Sequence, residues 1–253
     1  MAHDLSKRVA LVTGASRGLG AAIARKLAGS GARVAVNYFG GREGATRVVE
    51  DIRRSGGEAE AFQADVRDER DVVRLVGEVR ARFGPVEVLV LNATGPQPYV
   101  KLEELTWRHC LDQLEFFVKS PVLLSQAVVP EMKERRAGRI IHIGSEVFEQ
   151  GVPEFSNYVS AKGAQLGLTR SWAQELGPWG ITVNLVAPGW IPVERHAGEG
   201  LTDAHKQSYA SGNPLRRMGT PDEIGDAVAF LASDAAGFIT GQKLSVNGGR
   251  TLA

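Results

Sequence analysis

Short, nearly continuous apolar runs alternate along the chain with segments whose apolar residues recur at helical spacing. The runs Arg8 to Thr13, Arg33 to Asn37, Ala59 to Ala64, Val86 to Leu91, Arg139 to Ile143, Ile181 to Val186 and Lys243 to Val246 read as strands. Unbroken apolarity such as that of Val86 to Leu91 suits strands covered on both faces, as in a parallel sheet. Between them, Leu19, Ile23 and Leu27 mark one helix, Val48, Val49 and Ile52 a second, and Val72, Leu75, Val76 and Val79 a third, from about Asp68 to Phe83. A long helical region from about Leu102 to Arg135, expected to break before Pro121, is followed by a helix carrying Tyr158 and another from Pro221 to Ala232. This alternation predicts an α/β fold: one doubly wound parallel sheet over residues 1–253, with its ligand crevice at the strands' carboxyl ends. Residues 190–212 lack the pattern and read as a substrate loop or lid within that domain.

Bulk properties narrow the function without naming it. Hydrophobic residues make up 43% and charged residues 23% of the chain, ordinary values for a soluble globular protein. With 30 basic against 29 acidic side chains, nothing calls for a nucleic acid or an anionic membrane as partner. No apolar run approaches the ~18 residues of a membrane span, and Met1 to Arg8 holds no signal core, so a cytoplasmic protein is expected. Cys110 is the only cysteine, which excludes an intrachain disulfide and leaves a packing role.

The chemistry concentrates in two places. The strand ending at Ile143 delivers Ser145 to its carboxyl end, and Tyr158 and Lys162, four apart, share one face of the next helix. A phenol ionises near pH ~10, and a neighbouring ammonium lowers that value by favouring phenolate. Such a spacing also arises by chance, so its weight comes from its company. Thr13 to Gly20 lies between the first strand and first helix, where glycines permit a sharp turn and a pyrophosphate can approach the helix amides. Gly14, Ser16, Arg17, Gly18, Leu19 and Gly20 are the candidate contacts. A ribose diol calls for a carboxylate at the end of the second strand, yet that strand ends Val36-Asn37-Tyr38-Phe39 and the next acid is Glu43. Arg17 and Arg42 are candidate partners of a 2′-phosphate, so NADP(H) is preferred with NAD(H) possible; Arg42 equally reads as a solvated helix start. Asp65 either accepts from an adenine amine or caps the helix after it.

Taken in order, Thr13-Gly14-x-x-x-Gly18-x-Gly20, Asp65, Asn92-Ala93, Ser145, Tyr158-x-x-x-Lys162 and Pro188-Gly189 resemble the short-chain dehydrogenase/reductase family, most closely its 3-oxoacyl carrier-protein reductase type. The likeness runs to Gly241-Gln242 and Asn247-Gly248-Gly249. It implies a Rossmann sheet of seven strands in the order 3-2-1-4-5-6-7 and a homotetramer built on the long helices and the last strand. It also implies the catalytic roles. Ser145 would hydrogen-bond the substrate oxygen, Tyr158 would be acid in reduction and base in oxidation, and Lys162 would hold the nicotinamide ribose. Tyr38, Val66, Asn92, Ala93, Thr94, Pro188, Gly189 and Ile191 would complete the cofactor site, and Gln97, Glu146, Phe148, Gln150 and Trp190 would face a small carbonyl or alcohol substrate. No metal is implied.

Several positions depart from the family pattern. The asparagine usual in the helix after the fourth strand, which holds a relay water, is absent, since no asparagine occurs between Asn92 and Asn157. Counting forward from Trp107 reaches Leu114 and counting back from Lys119-Ser120-Pro121 reaches Phe117, which predicts extra residues and a local bulge there, with Gln113 as a candidate substitute. Thr94 replaces a glycine, and Val193 stands where a threonine is common. Arg136 matches one of two arginines used for carrier docking but Trp179 occupies the other position, so acyl carrier protein is a weakly supported partner. His196 and His205 fall in the loop. The resulting expectation is an NADPH-dependent reductase of a ketone or 3-oxoacyl compound; the alternatives are an alcohol, polyol or sugar dehydrogenase and a dinucleotide-binding scaffold with little turnover.

Overall fold

The strands β1 (Val9–Val12), β2 (Arg33–Tyr38), β3 (Glu58–Gln63), β4 (Val88–Leu91), β5 (Gly138–Ile143), β6 (Ile181–Pro188) and β7 (Lys243–Val246) form one parallel sheet in the order β3-β2-β1-β4-β5-β6-β7. The expected seven-stranded order is therefore present, and the computed structural model describes residues 3–194 and 202–252. Register is continuous from strand to strand, as in Leu11 beside both Ala35 and Leu89, and Ile141 beside Val90 and Asn184.

Alternate strand residues feed two cores, because successive side chains point to opposite faces. One face packs Ala10, Val12, Val36 and Ile141 against helices α1 (Gly18–Gly29), α2 (Arg42–Arg54) and α9 (Pro221–Ala232). The other packs Leu11, Leu89 and Ile140 against α3 (Glu69–Phe83), α5 (Ser120–Arg135) and α7 (Ser156–Leu176). Each fully buried leucine such as Leu89 contributes about 1.5–3 kcal/mol relative to exposure.

Three sequence expectations change. The helical region does not break before Pro121: α4 (Trp107–Leu114) runs through a π-helical turn, Glu115–Lys119, straight into α5, with Pro121 directly after that widened turn. The widened turn lies where the two counts disagree. Residues 190–212 are not wholly irregular, because α8 (Asp203–Gly212) starts at a capping box in which Thr202 Oγ1 accepts from the His205 amide and His205 Nδ1 accepts from the Thr202 amide. His205 is thus a cap residue, and His196 lies outside the described residues. Asp65 is not the cap of α3. Asp68 is, accepting from the Asp71 amide at 3.0 Å, while Asp65 makes a two-pronged pair with Arg67 at 2.9 and 2.7 Å.

All seven strands point the same way, so the segments after β1, β4, β5 and β6 share one edge of the sheet. Among the described residues no helix is long and apolar enough to cross a membrane.

Candidate active site

The glycine turn is held from three strands. Asn37, at 2% exposure, accepts from the Gly14 amide through Oδ1 at 3.2 Å, accepts from the Ala15 amide through its carbonyl at 2.8 Å, and donates through Nδ2 to Ala64 O at 3.2 Å. Asn92 donates through Nδ2 to Thr13 O at 2.9 Å and Gly14 O at 3.2 Å. Thr13 Oγ1 accepts from the amides of Asn92 and Ala93 at 2.9 and 3.0 Å. A Cβ on Gly20 would lie 2.4 Å from Gly14 O and 2.6 Å from Asn92 Nδ2, so no larger residue fits that turn.

This turn has the chemistry of an anion site. Gly14 and Gly18 have positive φ, and the Gly18 amide at the start of α1 donates to the Glu194 carboxylate at 3.1 Å, an internal anion where a phosphate oxygen would be accommodated. Ser16 lies against the start of α2, its carbonyl 2.6 Å from where a Gly44 Cβ would stand, which brings Arg42, the first residue of α2, next to the glycine turn. Arg17 and Arg42 are both exposed, and among the described residues neither forms an ion pair. Leu19 is half-buried against the same core that buries Tyr38, and Val66 is buried in the core on the other face of the sheet. The carboxylate of Asp65 is held below its usual range, first by its hydrogen bond with Arg67.

Beyond β5, Ser145 Oγ accepts from the Val147 amide at 3.4 Å, and Glu146 stands at the start of the short helix α6 (Val147–Gln150). On α7, Lys162 is 4% exposed; its Nζ donates to Ile143 O at 2.7 Å and Gln165 Oε1 at 3.1 Å and lies 5.5 Å from the Tyr158 ring centroid. The bond to Ile143 ties the lysine to the strand residue two before Ser145, which draws the three expected groups to the same strand end. Tyr158, 8% exposed, is stacked on Phe155 at 4.7 Å and meets Phe117 edge-on at 5.4 Å. Phe155, Phe117 and Gln165 carry no motif. Gln165 is findable only as the residue one turn beyond Lys162.

The 94–100 segment is pinned across this group. Gln113 Nε2 donates to Pro96 O at 2.8 Å and Asn157 Nδ2 to Pro98 O at 3.2 Å, while Tyr99 stacks on Phe155 at 4.3 Å. Gln113 anchors this loop through its Nε2, and its Oε1 is buried with no hydrogen-bond partner among the described residues. Thr94 Oγ1 accepts from Gln97 Nε2 at 2.8 Å.

The substrate-wall candidates divide. Glu146, 3% exposed, accepts from the Tyr209 hydroxyl at 2.5 Å through Oε1, and that hydroxyl accepts from the Trp190 amide at 2.7 Å; Trp190 and Tyr209 meet edge-on at 5.3 Å. Burial, reinforced by the bond to Glu146, raises the Tyr209 pKa, so its proton stays. Glu146 Oε2 is buried without a hydrogen-bond partner among the described residues. Pro188 O accepts from the Glu146 amide, and Gly189 packs under Tyr209 with no room for a Cβ. Ile191 is buried beyond them. By contrast Phe148 turns toward β7, its ring 5.8 Å from Lys243, and Gln150 ends α6 exposed.

Known proteins match this arrangement over nearly its whole length. A family model described as enoyl-(acyl carrier protein) reductase matches residues 14–251. The chain is 43% identical over 242 residues to the 3-oxoacyl-[acyl-carrier-protein] reductase FabG of Staphylococcus aureus, covering 95% of this chain and 96% of that one. To the Escherichia coli FabG it is 39% identical over 244 residues, 96% of each chain. Among solved structures, a gluconate 5-dehydrogenase from Burkholderia cenocepacia in complex with NADP and tartrate superposes with a TM-score of 0.91 at 32% identity, covering 99% of this chain and 97% of that one. A doubly substituted Serratia marcescens short-chain dehydrogenase/reductase gives 0.90 at 35%, covering 99% and 100%. The chain belongs to the short-chain dehydrogenase/reductase family, the NAD(P)-dependent oxidoreductases acting on CH–OH groups.

Proposed function

We propose that the protein is an NADP(H)-preferring reductase of a small ketone or 3-oxoacyl compound, with Tyr158 as general acid. The observation that carries this reading is the buried Lys162 ammonium, 5.5 Å from the Tyr158 ring and bonded to the strand that delivers Ser145. In reduction the Tyr158 hydroxyl gives its proton to the substrate oxygen as the carbonyl π bond breaks, and in oxidation the phenolate takes that proton back. Ser145 donates a hydrogen bond to the same oxygen, and Lys162 favours the phenolate by its charge. The nicotinamide supplies the hydride when bound. The amides of the Gly14–Gly20 turn would hold its pyrophosphate, Arg17 and Arg42 its 2′-phosphate, Asp65 and Val66 its adenine, and Tyr158 and Lys162 its ribose, with Asn92, Ala93, Thr94, Pro188, Gly189 and Ile191 lining the rest.

A free small substrate suits this chain better than a carrier-bound one. Arg136 and Trp179 stack on each other, 5.8 Å from guanidinium carbon to ring, next to the amino ends of β5 and β6, whereas Ser145 follows the carboxyl end of β5. At ~3.3 Å per residue those ends are about 20 Å apart. A second reading, a polyol or sugar dehydrogenase, is favoured by Glu146, whose buried Oε2 has no hydrogen-bond partner among the described residues and would accept from a hydroxyl that reaches it. The expected assembly is a cytoplasmic homotetramer, in keeping with the exposed Trp107 on α4 and Leu244 on the edge strand β7. The intact Ser145, Tyr158 and Lys162 argue against a scaffold with little turnover.

The test is NADPH oxidation across ketones, 3-oxoacyl thioesters and keto-sugars, with Tyr158→Phe as control. Turnover of a ketone or thioester that falls about 10²–10⁴-fold in the variant, with cofactor binding retained, supports the reading. Undiminished turnover in Tyr158→Phe overturns it; NAD-dependent oxidation of polyols alone would favour the second.

A further inference from the structure

We propose that Phe117, presented by the π turn Glu115–Lys119, is a positioning residue that seats the Lys162 ammonium beside Tyr158. The Lys162 nitrogen lies 3.8 Å from the centroid of the Phe117 ring, and the same ring meets Tyr158 at 5.4 Å with its plane turned 79°. Phe117 is 1% exposed and Lys162 4%. A buried ammonium needs compensation for its lost hydration; Ile143 O and Gln165 Oε1 accept two of its hydrogens, and the negative face of the Phe117 ring adds to them. The ring attracts the ammonium without carrying a counter-charge of its own, so the contact with Phe117 leaves the amine's field at the phenol in place. It also keeps water off that flank of the amine.

The π turn is what makes this contact available. Its extra residue sends adjacent phenylalanines to different neighbours: Phe116 lies under Gly95 and 4.7 Å from the Arg67 guanidinium, and Phe117 turns to the catalytic pair. Among the described residues, the titratable and charged groups near the ammonium and on the π turn are these. Tyr158 is on its own helix; His142 on β5 feels it as a like charge and stays neutral; on the π turn itself Glu115 lies near Arg67 and Arg108, and Lys119 acts on Asp65.

This inference rests on Tyr158 being the acid–base group, and its test separates the two. The pH profile of turnover in the oxidative direction is measured for the wild type, Phe117→Leu, Phe117→Tyr and Phe117→pentafluorophenylalanine, the last nearly preserving shape while reversing the ring's electrostatics. The rising limb is expected to move up by about half a pH unit or more in the leucine and fluorinated proteins and to stay in place in Phe117→Tyr. Should Phe117→Leu fail to fold, the fluorinated protein alone decides. A limb unmoved by fluorination, with Tyr158→Phe inactive, overturns the role of Phe117 and leaves the acid–base assignment standing. Full activity in Tyr158→Phe overturns both.

Discussion

Asn37 Oδ1 accepts the Gly14 amide at 3.2 Å, so the buried polar residue next to the last in β2 fixes the first glycine of the neighbouring turn. Its Nδ2 donates back to Ala64 O, which ties the turn to the segment after β3 as well. Asn37→Leu is expected to strand both backbone groups in the interior, costing about 1–3 kcal/mol of stability and weakening dinucleotide affinity. Denaturant unfolding with fluorescence titration of NADPH reads both, and unchanged affinity would show that the turn holds its shape without this residue.

Arg17 within the glycine turn and Arg42 next to it have no ion pair among the described residues. A charge-assisted bond to a phosphate is worth more than a neutral one, so replacing either with alanine is expected to weaken NADPH binding by about tenfold while leaving NADH nearly unaffected. The loss should shrink as salt rises. Equal losses for both cofactors in a binding titration would remove the case for 2′-phosphate recognition.

The parts of the molecule that were legible in its sequence are those set by local pattern. Val88 to Leu91 is apolar throughout because its strand is covered on both faces, and the Thr13 to Gly20 turn announces itself by glycines that are crowded at Gly14 and Gly20 and held at positive φ at Gly14 and Gly18. What stayed hidden depends on partners far along the chain. Glu146 and Tyr209 are 63 positions apart, and nothing near either predicts their bond. Asp65 and Asp68 are equivalent as cap candidates by type; only Arg67, closing on Asp65, leaves the cap to Asp68. At the π turn the sequence count detects the additional residues but not which ring they turn toward Lys162.

The Tyr209 hydroxyl joins α8 to the catalytic edge by accepting from the Trp190 amide and donating to Glu146. Tyr209→Phe leaves the buried carboxylate without that donor and loosens α8, so substrate KM is expected to rise about tenfold, with NADPH affinity little changed. Steady-state kinetics with a ketone substrate checks this. A KM equal to the wild type's would mean that α8 does not close on substrate.

His142 is wholly buried on β5, its ring 5.5 Å from Trp172, and neither ring nitrogen has a hydrogen-bond partner among the described residues. Burial, with the Lys162 charge adding to it, pushes its pKa down to about 3 from an ordinary 6.5. The folded protein therefore keeps this imidazole neutral while the unfolded chain binds a proton below about pH 6.5. Between those two values the unfolded state holds the extra proton, so this group makes stability fall as pH drops, by at most about 1.4 kcal/mol per unit, and contributes no slope above pH ~6.5. His142→Leu replaces an unsatisfied polar ring by an apolar side chain and is expected to leave neutral-pH stability near the wild type's while flattening the acid slope. Urea midpoints measured from pH 4.5 to 7.5 for both proteins decide the matter: parallel curves would mean that His142 gains its proton inside the folded protein, against the dry environment that β5 and α7 build around it.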